Sequence, residues 1–211
     1  MRTSKQLRQK KTVFSFVVDG ECEVWYLQLL KQEEKLLNIN VEPKLPQKKK
    51  LKDQFAMVLE LAQESDKVFW IIDFDTIYRE SREAGQEKKT ALQELQGYYG
   101  NISQNTESVI VIIVNNPCLE YWFLLHFEAT SKYYESYAKL ERALKKHKAL
   151  ADYEKSEKYY KTGRQNIYQR LKPYLQTAIK DAKRLGKFDF NNTQTGMAEI
   201  YKLFDELNKE K

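Results

Sequence analysis

The chain has 211 residues, of which 42% are hydrophobic and 31% are charged, and its mean hydropathy is −0.71. This length is typical of one generous domain, or of one domain with an extension, and no run of the sequence approaches the roughly 20 apolar residues that a membrane-spanning helix needs. Lysine and arginine outnumber aspartate and glutamate by 36 to 30, and this net charge of +6 weakly favours a polyanionic partner.

The N-terminal stretch is basic. Residues 2–11 carry five lysines and arginines, which form either a solvated tail or an arm that contacts a phosphate backbone. No apolar signal-peptide core follows the first methionine, and Cys22 and Cys118 form neither a disulfide framework nor a metal motif. We therefore expect a cytoplasmic protein.

The first predicted strand covers residues 12–18, which are apolar and β-branched, and an amphipathic helix follows it to about residue 37. Asp19 then lies at the tip of the strand, Gly20 allows a sharp turn, and Glu23 lies in the first turn of the helix. Two interpretations stay open here. Asp19 or Glu21 caps the helix, or Asp19 binds a metal ion, and the local sequence favours neither.

A basic run follows the next predicted strand, which covers residues 38–42. Lys48, Lys49 and Lys50 form this run, which is either a solvated face or a lip that binds phosphate. Residues 51–64 then repeat apolar side chains at helical spacing and predict a helix that faces the core.

The central prediction concerns the apolar run of residues 68–72, which ends on two carboxylates, Asp73 and Asp75. The run is short and rich in β-branched and aromatic residues, as in a strand buried on both faces of a parallel sheet. If the strand continued past Phe74, the two carboxylates would point the same way. Two like charges held together repel each other, and a divalent cation relieves that repulsion.

The fourth predicted strand, residues 108–114, also ends on polar residues, and these run from Asn115 to Glu120. We expect Asn116 to cap a buried helix that has Pro117 in its first turn. In that helix His126 is either a core histidine or a catalytic or ligating residue. Strand–helix alternation predicts parallel strands, so the three polar clusters should meet at one edge of the sheet.

Residues 131–211 show no strand pattern and predict a helical region packed on a core formed by residues 1–130. Within it, residues 153–164 mix tyrosines with basic side chains, including Lys161 and Arg164. Such a mixture either stacks bases and neutralises phosphates or forms a packing seam. The predicted fold class is therefore α/β, with a mostly parallel sheet flanked by helices and an α-helical C-terminal extension.

Three motifs resemble known families. The sequence DGECE at residues 19–23 resembles the EGxxE element of TOPRIM-type domains, and the sequence IDFD at residues 72–75 resembles their DxD element. The sequence NPCLEYWFLLH at residues 116–126 closely resembles the signature of RloB-like proteins, a TOPRIM-related family encoded near bacterial restriction and abortive-infection loci. The resemblance covers essentially the whole chain and implies a TOPRIM-like, Rossmann-like sheet.

The resemblance also implies chemistry at Mg²⁺ or Mn²⁺ that hydrolyses phosphodiesters. Asp19, where TOPRIM domains usually have glutamate, would bind the metal with Glu23, Asp73 and Asp75, and Glu120 would complete the catalytic set. Lys48, Lys49, Lys50, Arg79, Lys161 and Arg164 would contact the nucleic acid, with Arg79 or Lys161 neutralising the leaving group.

The implied role is anti-phage defence, with DNA or RNA as substrate and an ATPase encoded at the same locus as a possible partner. Two alternatives stay open: a non-catalytic subunit that binds nucleic acid or a partner, and a site that binds a nucleotide signal through Mg²⁺. The sequence predicts no membrane partner and leaves the oligomeric state open.

Overall fold

The computed structural model describes residues 12–35, 39–44, 50–83, 89–104 and 108–210. The N-terminal stretch of residues 2–11, together with Lys48 and Lys49, lies outside these ranges. The predictions made for those residues therefore stay predictions.

Five strands and ten α-helices occur in the described ranges. The strands are β1 (Thr12–Val17), β2 (Ile39–Lys44), β3 (Lys67–Asp73), β4 (Ile110–Asn116) and β5 (Met197–Ala198). The helices are α1 (Glu21–Glu33), α2 (Leu51–Leu61), α3 (Phe74–Glu83), α4 (Ala91–Ser103), α5 (Glu120–Leu124), α6 (Tyr137–Leu144), α7 (Glu157–Lys161), α8 (Ile167–Leu171), α9 (Leu175–Leu185) and α10 (Tyr201–Lys209). Short 3-10 helices cover Lys148–Leu150 and Lys172–Tyr174. No helix in the described ranges is long and apolar enough to cross a membrane.

The strands form one sheet in the order β2-β1-β3-β4-β5. The first four strands run parallel, and β5 pairs antiparallel with the end of β4. This arrangement confirms the α/β class and the mostly parallel sheet. Because β1, β3 and β4 are parallel, their carboxyl ends lie at the same edge of the sheet, as the sequence predicts.

Both faces of the sheet are covered, which is why β3 is almost continuously apolar. On one face Phe69 and Ile71 pack into a core shared with α1, α5 and the C-terminal helices. On the other face Val68, Trp70 and Ile72 pack against α2, α3 and α4. The predicted strand buried on both faces is therefore confirmed.

Two local predictions about strand ends are wrong. The strand ends at Asp73 and α3 begins at Phe74, so Asp75 lies in a helical turn and the strand alternation does not continue to it. Helix α5 begins at Glu120, after a cis peptide bond between Asn116 and Pro117. Asn116 does not cap this helix; its side-chain amide donates hydrogen bonds to two backbone carbonyls of the 193–195 loop, at 2.8 and 2.9 Å.

The C-terminal region adds helices to the first face of the sheet, and it also contributes β5, which the sequence analysis did not predict. Tyr153 and Tyr160 from this region are fully buried in the core against Phe123 of α5. Their rings therefore have no free face for a base, and these two tyrosines belong to a packing seam.

Candidate metal centre

Five acidic side chains approach one another at the carboxyl edge of the sheet. Asp73 ends β3, Asp19 follows β1, and Glu23, Asp75 and Glu120 lie in the first turns of α1, α3 and α5. Burial raises the pKa of Asp73 well above its ordinary value, and the negative charges of the other four acids raise it further. The five acids that the sequence analysis selected thus form one electrostatic cluster, here called the acid cluster.

The acid cluster is closed on its inner side and open on its outer side. Glu120, Glu23 and Asp73 are 0%, 2% and 7% exposed, whereas Asp19 is half-buried and the side chain of Asp75 is exposed. A ligand from solvent therefore meets Asp19 and Asp75 first.

Local backbone features hold the inner acids in place. The backbone amide of Leu119 donates a hydrogen bond of 2.9 Å to Oδ1 of Asp73. Gly20 is the N-cap of α1, and a Cβ atom at this position would lie 3.0 Å from Oε2 of Glu23. Because no side chain caps α1, the capping interpretation of Asp19 and Glu21 is wrong.

The crowding of carboxylates makes protons bind more tightly. Burial, followed by the charge of Glu120, raises the pKa of Glu23 from its ordinary 4.5 to about 7. Burial also raises the pKa of Asp19, despite a hydrogen-bonding interaction with the Thr76 side chain, and partial desolvation by neighbouring groups raises the pKa of Asp75. Without a compensating cation, the fully ionised acid cluster is therefore unfavourable.

Several buried polar atoms at the acid cluster lack a hydrogen-bond partner among the described residues. They are Oε1 of Glu23, Oε2 of Glu120 and both amide atoms of Asn115. Asn115 is fully buried and stands beside Asp73 in the register of β3 and β4. Carboxylate and amide oxygens are the ligands that hard divalent cations prefer, so this donor set fits Mg²⁺ or Mn²⁺.

Cys118 also faces the acid cluster. Ligand atoms of Asp73, Cys118 and Glu120 all lie within 4.8 Å of one another. Burial, followed by the charges of Glu120 and Asp73, raises the pKa of the Cys118 thiol well above its ordinary value. Mg²⁺ and Mn²⁺ prefer oxygen ligands to sulfur ligands, so the oxygen donors carry the fit to a metal ion.

A lysine from the C-terminal region enters the acid cluster. Nζ of Lys155 lies 3.1 Å from Oε1 of Glu120, and the hydroxyl of Tyr153 donates a hydrogen bond of 2.9 Å to the same oxygen. Burial alone would lower the pKa of Lys155, but the charges of Glu120 and Asp73 outweigh it and raise that pKa. Glu120 is thus partly neutralised within the chain, and of its two oxygens Oε2 is without a partner in the described part of the structure.

The sequence analysis did not assign Lys155 or Asn115 to the site. A strand-end position was the available signal for Asn115, which lies in the same polar cluster as Glu120. Lys155 follows no strand and lies in a segment rich in lysine, so its local sequence does not distinguish it from its neighbours.

The predicted nucleic-acid contacts lie in different places. Arg79 lies on α3, and its charge lowers the pKa of Asp75. Lys50 is the N-cap of α2, whose Gln54 interacts with Asp19, so it lies at the same edge of the sheet. Lys161 forms an ion pair with the glutamate four residues earlier, at 2.8 Å, and Arg164 is exposed on the loop before α8. The role of each in binding nucleic acid stays a prediction.

Comparison with known proteins identifies one family. The sequence model of a family described as RloB-like protein matches residues 14–207, which is nearly the whole chain. Searches of the curated proteins and of the solved structures find no significant match.

Proposed function

Because the chain belongs to the RloB-like family, we propose that it is a metal-dependent nuclease with a TOPRIM-type acid site that acts in bacterial defence against phage. The observation that carries this proposal is the acid cluster, in which side chains from α1, β3, α3 and α5, with Asp19 between β1 and α1, converge at one edge of a parallel sheet. Ligands of open α/β sheets bind at this edge.

In the proposed site Asp19, Glu23, Asp73 and Asp75 hold Mg²⁺ or Mn²⁺, with the unpaired oxygens of Asn115 and Glu120 close by. A divalent ion bound there supplies Lewis-acid chemistry, which lowers the pKa of a bound water and stabilises negative charge on a phosphate. The fit rests on the orphaned buried oxygens and on the raised pKa values of the acids.

The residues of the chain then have distinct tasks. The buried acids Glu23 and Asp73 fix the inner side of the site, because burial and the Leu119 hydrogen bond restrict their movement. Asp75 stands at the open side, where the substrate phosphate arrives. Arg79 and Lys155 lie next to the acids and supply positive charge for the phosphate and for the leaving oxygen.

The ion pair between Lys155 and Glu120 favours a second candidate function. A lysine within the chain already offsets part of the negative charge, as in a scaffold that no longer needs a metal ion. The chain would then be a non-catalytic subunit that binds nucleic acid or a partner protein. Salt-sensitive binding without turnover, unaffected by EDTA, would identify this case.

The decisive experiment is a cleavage assay with Mg²⁺, Mn²⁺ or EDTA on single-stranded DNA, duplex DNA and tRNA. We expect cleavage with a divalent metal and none with EDTA. The double substitution Asp73→Asn with Asp75→Asn should lower the rate on the order of 100-fold or more, since it removes two ligand charges and retains side-chain volume. The Asp73→Asn side chain can still accept the Leu119 hydrogen bond.

A matched control changes the same amount of charge away from the site. Glu60 and Glu64 are exposed where α2 leads into β3, at the opposite edge of the sheet. The double variant Glu60→Gln with Glu64→Gln should retain the cleavage rate. Cleavage that persists in the Asp73 and Asp75 variant, or in EDTA, would refute the metal-dependent nuclease.

A further inference from the structure

Three adjoining cavities lead away from the open side of the acid cluster. The first, of about 460 Å³, contains Asp75, Tyr78 and Arg82 in its wall. The second, of about 440 Å³, shares Tyr78 and Arg82 with the first and adds Gln194. The third, of about 420 Å³, shares Tyr133 with both and continues along α6. The three cavities share lining residues, and the surface that they form together is here called the basic groove.

Positive charge dominates the walls of the basic groove. Six of the lining residues are basic and three are acidic; the basic ones are Arg79, Arg82, Lys132, Lys139, Arg142 and Lys146. Lys139 forms an ion pair with Glu135, whereas Arg142 and Lys146 form none within the ranges that the structure describes. The groove therefore offers the attraction that a polyanion needs to approach an acidic site.

Aromatic rings stand in the middle of the basic groove. The side chain of Tyr78 is 43% exposed, and Tyr133, which lines all three cavities, is half-buried. The Arg82 guanidinium lies 6.0 Å from the centre of the Tyr78 ring. Exposed tyrosines next to arginines are the platforms on which unpaired bases stack, while the bases of a duplex are stacked on each other and unavailable.

We propose that the basic groove binds a single strand of nucleic acid and guides it to Asp75, an assignment that rests on the nuclease function proposed above and names its substrate class. Bases stack on Tyr78 and Tyr133, and the phosphates run along Arg142 and Lys146. Each cavity falls within the roughly 300–1,000 Å³ of typical small-molecule sites, which is room for a nucleotide. An acidic peptide would use the charges but would not need the tyrosines.

The test is fluorescence anisotropy in EDTA, where a metal-dependent nuclease cannot cleave, with labelled 12-nucleotide single strands of DNA and of RNA and a duplex of the same length. We expect at least one single strand to bind about 10-fold or more tightly than the duplex. Tyr78→Ala with Tyr133→Ala should weaken that binding about 10-fold without changing its salt dependence, because stacking carries no charge.

The charge-reversal variant Arg142→Glu with Lys146→Glu tests the phosphate path. It should weaken binding at least about 10-fold and should reduce the slope of log K against log salt by roughly 1.4, since two phosphate contacts are lost. Both residues are exposed, so folding is preserved, and circular dichroism verifies this. The control variant Lys180→Glu with Arg184→Glu, at the same spacing on exposed positions of α9, should bind like the wild type.

Different outcomes refute the two proposals. If a single strand binds to the groove but neither Mg²⁺ nor Mn²⁺ supports its cleavage, the nuclease proposal is refuted and the groove assignment stays intact. Cleavage that proceeds equally well in the Arg142 and Lys146 variant would refute the groove and leave the nuclease intact. Equal affinity for duplex and single strand, or equal affinity for polyglutamate, would also overturn the groove assignment.

Discussion

The carboxylate of Glu120 lies where solvent does not reach, and a lysine from a distant part of the chain partly neutralises it. Lys155 is 42% exposed and Glu120 is 0% exposed. The pair formed by Lys145 and Glu141 has a lysine of the same 42% exposure, but its acid is 27% exposed. These two pairs therefore differ mainly in the burial of the acid. That burial decides how much the free energy of unfolding falls when the lysine is removed.

We predict that Lys155→Met lowers the free energy of unfolding by about 1–3 kcal/mol, because it leaves a buried charge with one hydrogen bond. Lys145→Met should change it by less than about 0.5 kcal/mol. Adding Glu120→Gln to Lys155→Met should recover part of the loss, since the orphaned charge is then gone. Urea unfolding of the single and double variants measures this coupling, and additive effects would show that the pair does not interact.

A second residue with an unusual environment is His126, which the sequence left open between core and catalytic roles. It is buried, and its Nδ1 atom lies 2.9 Å from the carbonyl of Trp122, so Nδ1 carries the proton. Its Nε2 atom has no partner within the described ranges. Burial lowers the pKa of His126 from 6.5 to about 4. These contacts are those of a neutral core histidine.

This burial makes stability depend on pH in a defined window. The unfolded chain protonates His126 near pH 6.5 and the folded chain does so near pH 4, so the unfolded state binds more protons between these values. The stability that the neutral, buried His126 contributes is complete above pH 6.5 and is lost as the pH falls toward 4. The variant His126→Asn retains a side-chain hydrogen-bond donor but has no group that titrates in this range. Between pH 7 and pH 4.5 its free energy of unfolding should therefore fall by about 2 kcal/mol less than that of the wild type. Urea unfolding at the two pH values measures this, and parallel losses would contradict it.

Individual site residues differ in how far the sequence predicts them. Asp19, Asp73 and Asp75 follow apolar runs, and parallel strands bring their ends to one edge, so local pattern is sufficient to select them. Lys155 reaches the same edge only because the C-terminal helices fold back over the sheet. The path of that return depends on packing between distant segments, and no local periodicity encodes it.

Among the elements, β5 shows how a strand can form without strand-like sequence. It has two residues, and the buried carboxylate of Glu199 next to it accepts hydrogen bonds from the backbone amides of Val114, at 3.0 Å, and Phe188, at 3.1 Å. Lys202 pairs with Glu199 at 2.7 Å. The strand is thus held by contacts across the fold, and the last helix, α10, begins only after it, at Tyr201.

The residue before β5 is packed too closely for any side chain. A Cβ atom on Gly196 would collide with the backbone carbonyl of Lys132 and with the ring of Tyr121. Backbone atoms cannot yield as a flexible side chain can, so we predict that Gly196→Ala lowers the free energy of unfolding by about 1–3 kcal/mol. Thermal or urea unfolding measures the change.

The control for this prediction is Gly100→Ala. Gly100 lies within α4, and a Cβ atom there would meet nothing within 4 Å. Alanine loses less conformational entropy than glycine when a helix forms, so the free energy of unfolding of this variant should rise by about 0.5–1 kcal/mol. If Gly196→Ala left the free energy of unfolding unchanged, or raised it as Gly100→Ala should, the packing described around Gly196 would be wrong.

At the scale of the whole molecule, the sheet and the C-terminal helices share one core. Buried residues of the same cluster run from Phe14 in β1 to Leu207 in α10. The division at residue 130 that the sequence suggests stays a prediction about domains, but Tyr153 and Lys155 from beyond it contact Glu120 in the acid cluster. Composition and patterning were sufficient for the fold class, whereas the burial of the site depends on this second half of the chain.

The shared core leads to a prediction about cooperativity. All three tryptophans, Trp25, Trp70 and Trp122, lie in the first 130 residues, so tryptophan fluorescence reports on the sheet and its neighbours. Hydrogen exchange of peptides from residues 140–185 reports on the helices packed against it. If the two parts are stabilised by the same buried contacts, neither is stable alone, and both signals should follow one transition with the same urea midpoint. A helical region that exchanges freely while the fluorescence is still native would contradict this, and it would mean that the acid cluster can lose Lys155 without unfolding of the sheet.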